Sequence, residues 1–82
     1  MRLDKYLKVS RLIKRRTVAN EACDNERVSV NGHPAKASYE VKPGDRLEIR
    51  FGAKMLCVEV VSVAETVRKE DAAAMYREIR AD

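Results

Sequence analysis

The sequence predicts a small α+β domain, with two N-terminal helices packed on a small antiparallel sheet and a further helix at the C-terminal end. Three observations carry this prediction. Apolar residues recur with helical period up to residue 24, alternate with period two through the middle of the chain, and return to helical spacing from residue 69. Eighty-two residues suffice for one hydrophobic core, so residues 1–82 are expected to form one domain. The chain is 37% charged, but it holds enough Leu, Ile and Val to fold and no Gly/Pro/Ser-rich linker, repeat or low-complexity segment.

Leu3, Tyr6, Leu7 and Ser10 share one face of a short helix over residues 2–9, with Arg2, Lys5 and Lys8 on the other side. After a connection at residues 10–14, Val18, Ala19, Ala22 and Cys23 mark a second helix over residues 15–24, whose alanines allow close packing. Residues 27–30 then alternate as a strand. Asn31-Gly32 follows, a pair that accepts the positive φ of a tight hairpin turn. Residues 33–38 should return as an irregular edge, because Pro34 limits ladder bonding. Pro43 and Gly44 suit the central positions of a turn over residues 41–45.

Residues 46–51 alternate strictly between charged and apolar, as in a half-buried strand with Phe51 in the core. Gly52-Ala53 turns the chain into a strand over residues 55–63. A final helix is expected over residues 69–80, with Ala72, Met75, Tyr76 and Ile79 as its apolar stripe and Glu70 and Asp71 at its positive end.

Charge is distributed very unevenly. The first sixteen residues hold seven basic side chains and one acid, Asp4, a local excess of six in a chain of net charge +4; the other sixty-six residues stand at −2. A basic end of this density is a docking surface for a polyanion, of which nucleic acid is the commonest. Lys14, Arg15 and Arg16 sit at the expected N-terminus of the second helix, where the macrodipole disfavours cations by a few tenths of a kcal/mol each and no Ser, Thr, Asp or Asn caps the end. A bound phosphate would satisfy the free N–H groups and the three side chains together. A charge run is usually a solvated face, but this position and density argue against that reading.

Other function classes fit less well. The basic helix is two turns long and needs its apolar side for the core, which disfavours a membrane surface, and no apolar run forms a signal or a span. The Asn, Gln and Arg pattern of a major-groove reading helix is missing, which disfavours DNA. Tyr6, Tyr39, Phe51 and Tyr76 are dispersed among elements, so no platform for stacking bases forms; recognition is expected to rest on phosphates and the shape of a folded RNA.

Cys23, Cys57 and His33 are too few and too scattered for a structural metal site, and both thiols are expected to be buried and unbridged. No P-loop, dinucleotide fingerprint or catalytic constellation is present, so neither a cofactor nor an enzymatic activity is expected. The expected protein is cytoplasmic and monomeric.

Taken in order, Arg2-Leu3-Asp4-Lys5 with Leu7, Arg16 followed by Ala19, Val28-Ser29-Val30-Asn31-Gly32, Lys36, and Val41-Lys42-Pro43-Gly44-Asp45 resemble the S4 RNA-binding domain. The resemblance covers residues 2–51 and leaves residues 52–82 as a strand and C-terminal helix extension. It implies an αL-motif fold in which two helices and the adjoining hairpin present basic residues to structured RNA. Two positions depart from the pattern. Arg15 stands where the family usually has Ser, which removes a cap and adds a cation. Glu26 stands where it usually has Gly, so Asn25 is expected to take the left-handed turn after the helix.

Over its whole length, including residues 11–16 and 72–76, the chain resembles stand-alone S4-type factors of bacterial ribosome-associated quality control. These are related to the S4-type heat-shock protein of ribosome rescue. The resemblance implies a noncatalytic factor that binds obstructed large ribosomal subunits through their rRNA and stabilises peptidyl-site tRNA. It would do so while the partner RqcH adds alanine tails to the stalled nascent chain. A rescue or recycling factor that repositions peptidyl-tRNA without tail synthesis is the alternative. An RNA-modifying role is disfavoured by size. The expected RNA contacts are Arg2, Lys5, Lys8, Arg11, Lys14, Arg15 and Arg16, with Lys36 outlying; Arg2 and Arg16 match the most recognisable motif positions, and Asp4 is expected to orient cations around it.

Overall fold

The computed structural model describes residues 1–64 and 68–79. Its elements run α1 (Leu3–Val9), α2 (Arg16–Asp24), β1 (Val28–Val30), β2 (His33–Pro34), β3 (Arg46–Phe51), β4 (Lys54–Val60), a 3₁₀ helix (Lys69–Met75) and β5 (Tyr76–Glu78). The strands form one antiparallel sheet in the order β2-β1-β3-β4-β5.

The period-two pattern sets which face is buried. Val28 and Val30, Leu47 and Ile49, and Val58 and Val60 point into one core, where they meet Leu3, Tyr6 and Leu7 of α1 and Ala19 and Cys23 of α2. Each fully buried Val, Leu or Ile contributes about 1.5–3 kcal/mol, so the two helices are held by their apolar stripes, as short helices must be. Asn31 and Gly32 take φ of 52° and 86° and close β1 onto β2 as the expected positive-φ turn.

The C-terminal segment is helical over Lys69–Met75, but as a 3₁₀ helix, and it ends earlier than the spacing predicts. Tyr76–Glu78 leaves the helix to pair with β4, Val60 opposite Tyr76 and Val58 opposite Glu78. Three residues per turn still stack Ala72 above Met75, and both are buried. The free edge of β4 then takes the chain as a fifth strand, satisfying backbone groups that a longer helix would leave unpaired. Arg80, the expected helix end, lies outside the described residues.

Three further expectations are corrected. Phe51 is 44% exposed, because β3 runs past the helical cover at its hairpin end. Cys57 is half-buried, although Cys23 is buried as expected; both thiols are free. The left-handed residue after α2 is Glu26, at φ 58°, while Asn25 keeps φ −92°. The Glu26 N–H bonds the Cys23 carbonyl (3.0 Å) and the Arg27 N–H bonds that of Ala22 (2.8 Å). Ending α2 with this pair of bonds requires positive φ at the residue after the cap, and that residue is Glu26.

Candidate nucleic-acid interface

Asp4 organises the basic end. It lies in the first turn of α1 with its side chain only 3% exposed, a burial that a carboxylate tolerates only when fully hydrogen-bonded. Its Oδ1 accepts the Lys5 N–H (2.8 Å) and Arg2 Nε (3.2 Å). Its Oδ2 accepts Asn20 Nδ2 (3.3 Å) and pairs with Arg16 Nε at 3.4 Å. Burial pushes the Asp4 carboxyl up, but the hydrogen bonds from Arg2, Asn20, Arg16 and the Lys5 amide outweigh it and hold the group below its ordinary value of 3.8.

Arg2 and Arg16 are thereby fixed at one side while half of each side chain, 50%, stays exposed. A guanidinium has five N–H donors, so both retain donors for an anion. The neighbouring end of α2 is bare: Arg15 is its N-cap residue without a side-chain cap, and its first turn holds no acid. Lys14, Arg15 and Arg16 are all exposed there, as the sequence predicts.

Lys8, in the last turn of α1, Arg11 and Lys14 line a cavity of about 460 Å³ together with Lys69 from the 3₁₀ helix. Lys5 is half-buried on α1. Lys36 stands apart; it lines a different cavity with Cys23, Asp24, Glu26, Pro34 and Ala35. Sequence reasoning missed Asn20 and Lys69. Asn20 lies four residues after Arg16 on α2, a spacing that puts both on Asp4. Lys69 carries no local signal, because it follows Lys14 by more than fifty residues and precedes two acids, Glu70 and Asp71.

The S4 domain matches residues 1–47. The "RQC P-site tRNA stabilizing factor" of Halalkalibacterium halodurans is 62% identical over 76 residues, 93% of this chain and 86% of that protein. The chain is an S4-domain protein of the RQC P-site tRNA stabilizing factor family. The factor of the same name from Bacillus subtilis is 60% identical over 93% of this chain and 88% of its own length. Among solved structures, the trimeric structure of Vibrio cholerae Heat Shock Protein 15 superposes with a TM-score of 0.89 at 30% identity, covering 96% of this chain and 81% of that one.

In this S4-domain protein the matched segment contains α1, α2 and the Asp4 cluster, whereas Lys69 lies beyond it. Among the described residues no helix is long and apolar enough to cross a membrane, and no three His, Cys, Asp or Glu side chains are grouped to hold a metal ion.

Proposed function

We propose that this protein is a noncatalytic RNA-binding factor of ribosome-associated quality control in the cytoplasm. It docks on obstructed large ribosomal subunits through rRNA and stabilises the peptidyl-site tRNA while RqcH extends the nascent chain with alanine. The observation that carries the proposal is the pair Arg2 and Arg16, half-exposed and oriented by one buried carboxylate beside the uncapped end of α2. Relatives about 60% identical over nearly the whole chain and named for stabilising P-site tRNA support it.

Preorganised guanidiniums lose little entropy on engaging a phosphate, and the N–H groups of α2 add donors to the same anion. Contacts of this kind position a partner without reading its sequence, which suits a factor that must accept whichever tRNA the stalled subunit holds. Association should therefore be steeply salt-dependent.

The test is in-cell crosslinking and RNA sequencing of wild type and Arg16→Ala, with alanine tails assayed after deletion of the gene. Crosslinks to both large-subunit rRNA and tRNA, depleted in Arg16→Ala, together with lost tails, are expected. Crosslinks scattered over messenger RNA would overturn the RNA assignment, and intact tails would leave a recycling role in its place.

A further inference from the structure

We propose that Lys8, Arg11, Lys14 and Lys69 form a second phosphodiester-binding site, separate from the one at Arg2 and Arg16 and completed by the C-terminal 3₁₀ helix. The proposal rests on the RNA-binding reading above and adds a subsite and a residue to it. Among the described residues, the cavity at Asp4, Arg16, Thr17, Asn20 and Glu21, about 390 Å³, shares no lining residue with the one at Lys8, Arg11, Lys14 and Lys69.

The two cavities differ in electrostatics. At the first, a buried carboxylate balances the guanidiniums. At the second, four cations converge, and among the described residues no carboxylate lines the cavity. Among the described residues none of the four side chains has an ion pair or hydrogen bond to another side chain. Four like charges around one concavity repel one another, and an anion between them converts that repulsion into attraction.

Backbone strain gives a second, independent observation. Arg11 holds φ 63° just after the end of α1, its N–H on the Lys8 carbonyl at 3.1 Å. Glycine is the relaxed residue for that conformation. Keeping a cation at a position that strains it fits a side chain selected for contact with a ligand.

Lys69 reaches the cavity through packing. Ala72 and Met75 bury the inner side of the 3₁₀ helix, and the Tyr6 hydroxyl donates to the Met75 carbonyl at 2.7 Å, tying that segment to α1. Among the described residues the lining has no aromatic ring or side-chain amide to read a base, so three ammonium groups and one guanidinium fit a phosphate of any sequence.

The experiment measures association of Lys69→Ala, Lys69→Arg, Lys54→Ala and Arg16→Ala with purified large ribosomal subunits, with and without bound peptidyl-tRNA, across a salt series. Lys54 is an exposed lysine at the β3–β4 hairpin and controls for the loss of one charge. Lys69→Ala is expected to weaken binding several-fold and to lower the salt slope by about one; Lys54→Ala should do less, and Lys69→Arg should restore binding. Weakening on both preparations assigns the phosphate to rRNA, and weakening only with peptidyl-tRNA present assigns it to tRNA. Lys69→Ala matching Lys54→Ala, or failure of Lys69→Arg to restore, overturns the second site while leaving the first intact. Wild-type affinity in Arg16→Ala would instead overturn the Arg2 and Arg16 reading, and absence of wild-type binding would remove both.

Discussion

The Tyr6 hydroxyl in α1 donates a buried 2.7 Å hydrogen bond to the carbonyl of Met75, sixty-nine residues away at the end of the 3₁₀ helix. The same carbonyl accepts the N–H groups of Val61 (2.8 Å) and Ser62 (3.1 Å), so one atom joins α1, the segment after β4 and the C-terminal turn. Burial, and then the neighbouring Tyr76, push the Tyr6 phenol above its ordinary value, so it remains a donor through neutral and mildly alkaline pH. Tyr6→Phe keeps the ring and removes the donor. Because Met75 keeps its two amide partners, the expected loss is about 1 kcal/mol, read as a lower urea midpoint. A loss several times larger would mean that the phenol holds more of the C-terminal segment than this single bond.

Asp4→Asn should destabilise the protein at neutral pH by about 1–3 kcal/mol, because it replaces charge-assisted hydrogen bonds to a buried oxygen pair. The sign of the pH dependence follows from a folded value lower than the unfolded one. The stabilisation is complete above the unfolded value near 3.8 and is lost as pH falls through the lower folded value. Wild type and variant should therefore differ by a constant amount from about pH 5 to about 7 and converge below 3.8. Denaturation midpoints across that range provide the check. RNA binding should fall with the substitution as well, since Arg2 and Arg16 lose the anchor that orients them.

The sequence carries most of this arrangement, and the exceptions have physical causes. The period-two residues from Val28 to Val60 report the buried face of the sheet because alternation in an antiparallel strand maps directly onto inside and outside. Asp4 is legible as an organiser because a lone acid among seven cations has few other roles. The 3₁₀ helix and β5 are less legible: Ala72 and Met75 are three apart, a spacing common to both helix types, and only the unpaired edge of β4 decides that Tyr76 becomes a strand residue. Lys69 was hidden for the same reason. No local pattern relates it to Lys14, and only the packing of Met75 against Tyr6 brings it to the cavity.

The two thiols should react unequally in the folded protein. Cys23 is buried on α2, and burial, then the Asp4 and Asp24 carboxylates, push its thiol up to about 11. The thiolate is the reactive form, so alkylation of Cys23 near neutral pH should await unfolding. Cys57, half-buried on β4, should be modified first. Mass spectrometry of peptides after brief iodoacetamide treatment, with and without denaturant, distinguishes the sites; equal labelling in the folded protein would contradict the packing of α2 on the sheet.

Arg11 and Glu26 occupy equivalent positions after α1 and α2, at φ 63° and 58°, and the strain at each is that of an L-residue in the left-handed region. That conformation costs about 1–2 kcal/mol, whereas glycine adopts it freely but adds about 0.4–1 kcal/mol of unfolded-chain entropy. Glu26→Gly should therefore raise stability by about 0.5–1 kcal/mol on those magnitudes, because the Schellman bonds of Glu26 and Arg27 stay in place. Ribosome association should not weaken, since the change removes a negative charge away from the basic cavities. Arg11→Gly relieves the same strain and should keep or raise the thermal midpoint, yet it removes a cation from the cavity shared with Lys69 and should weaken association. Opposite movements of stability and binding in Arg11→Gly, set against a gain in stability alone in Glu26→Gly, separate a residue kept for a ligand from one merely tolerated at a helix end. Equal binding in the two variants would show that the strain at Arg11 serves no contact.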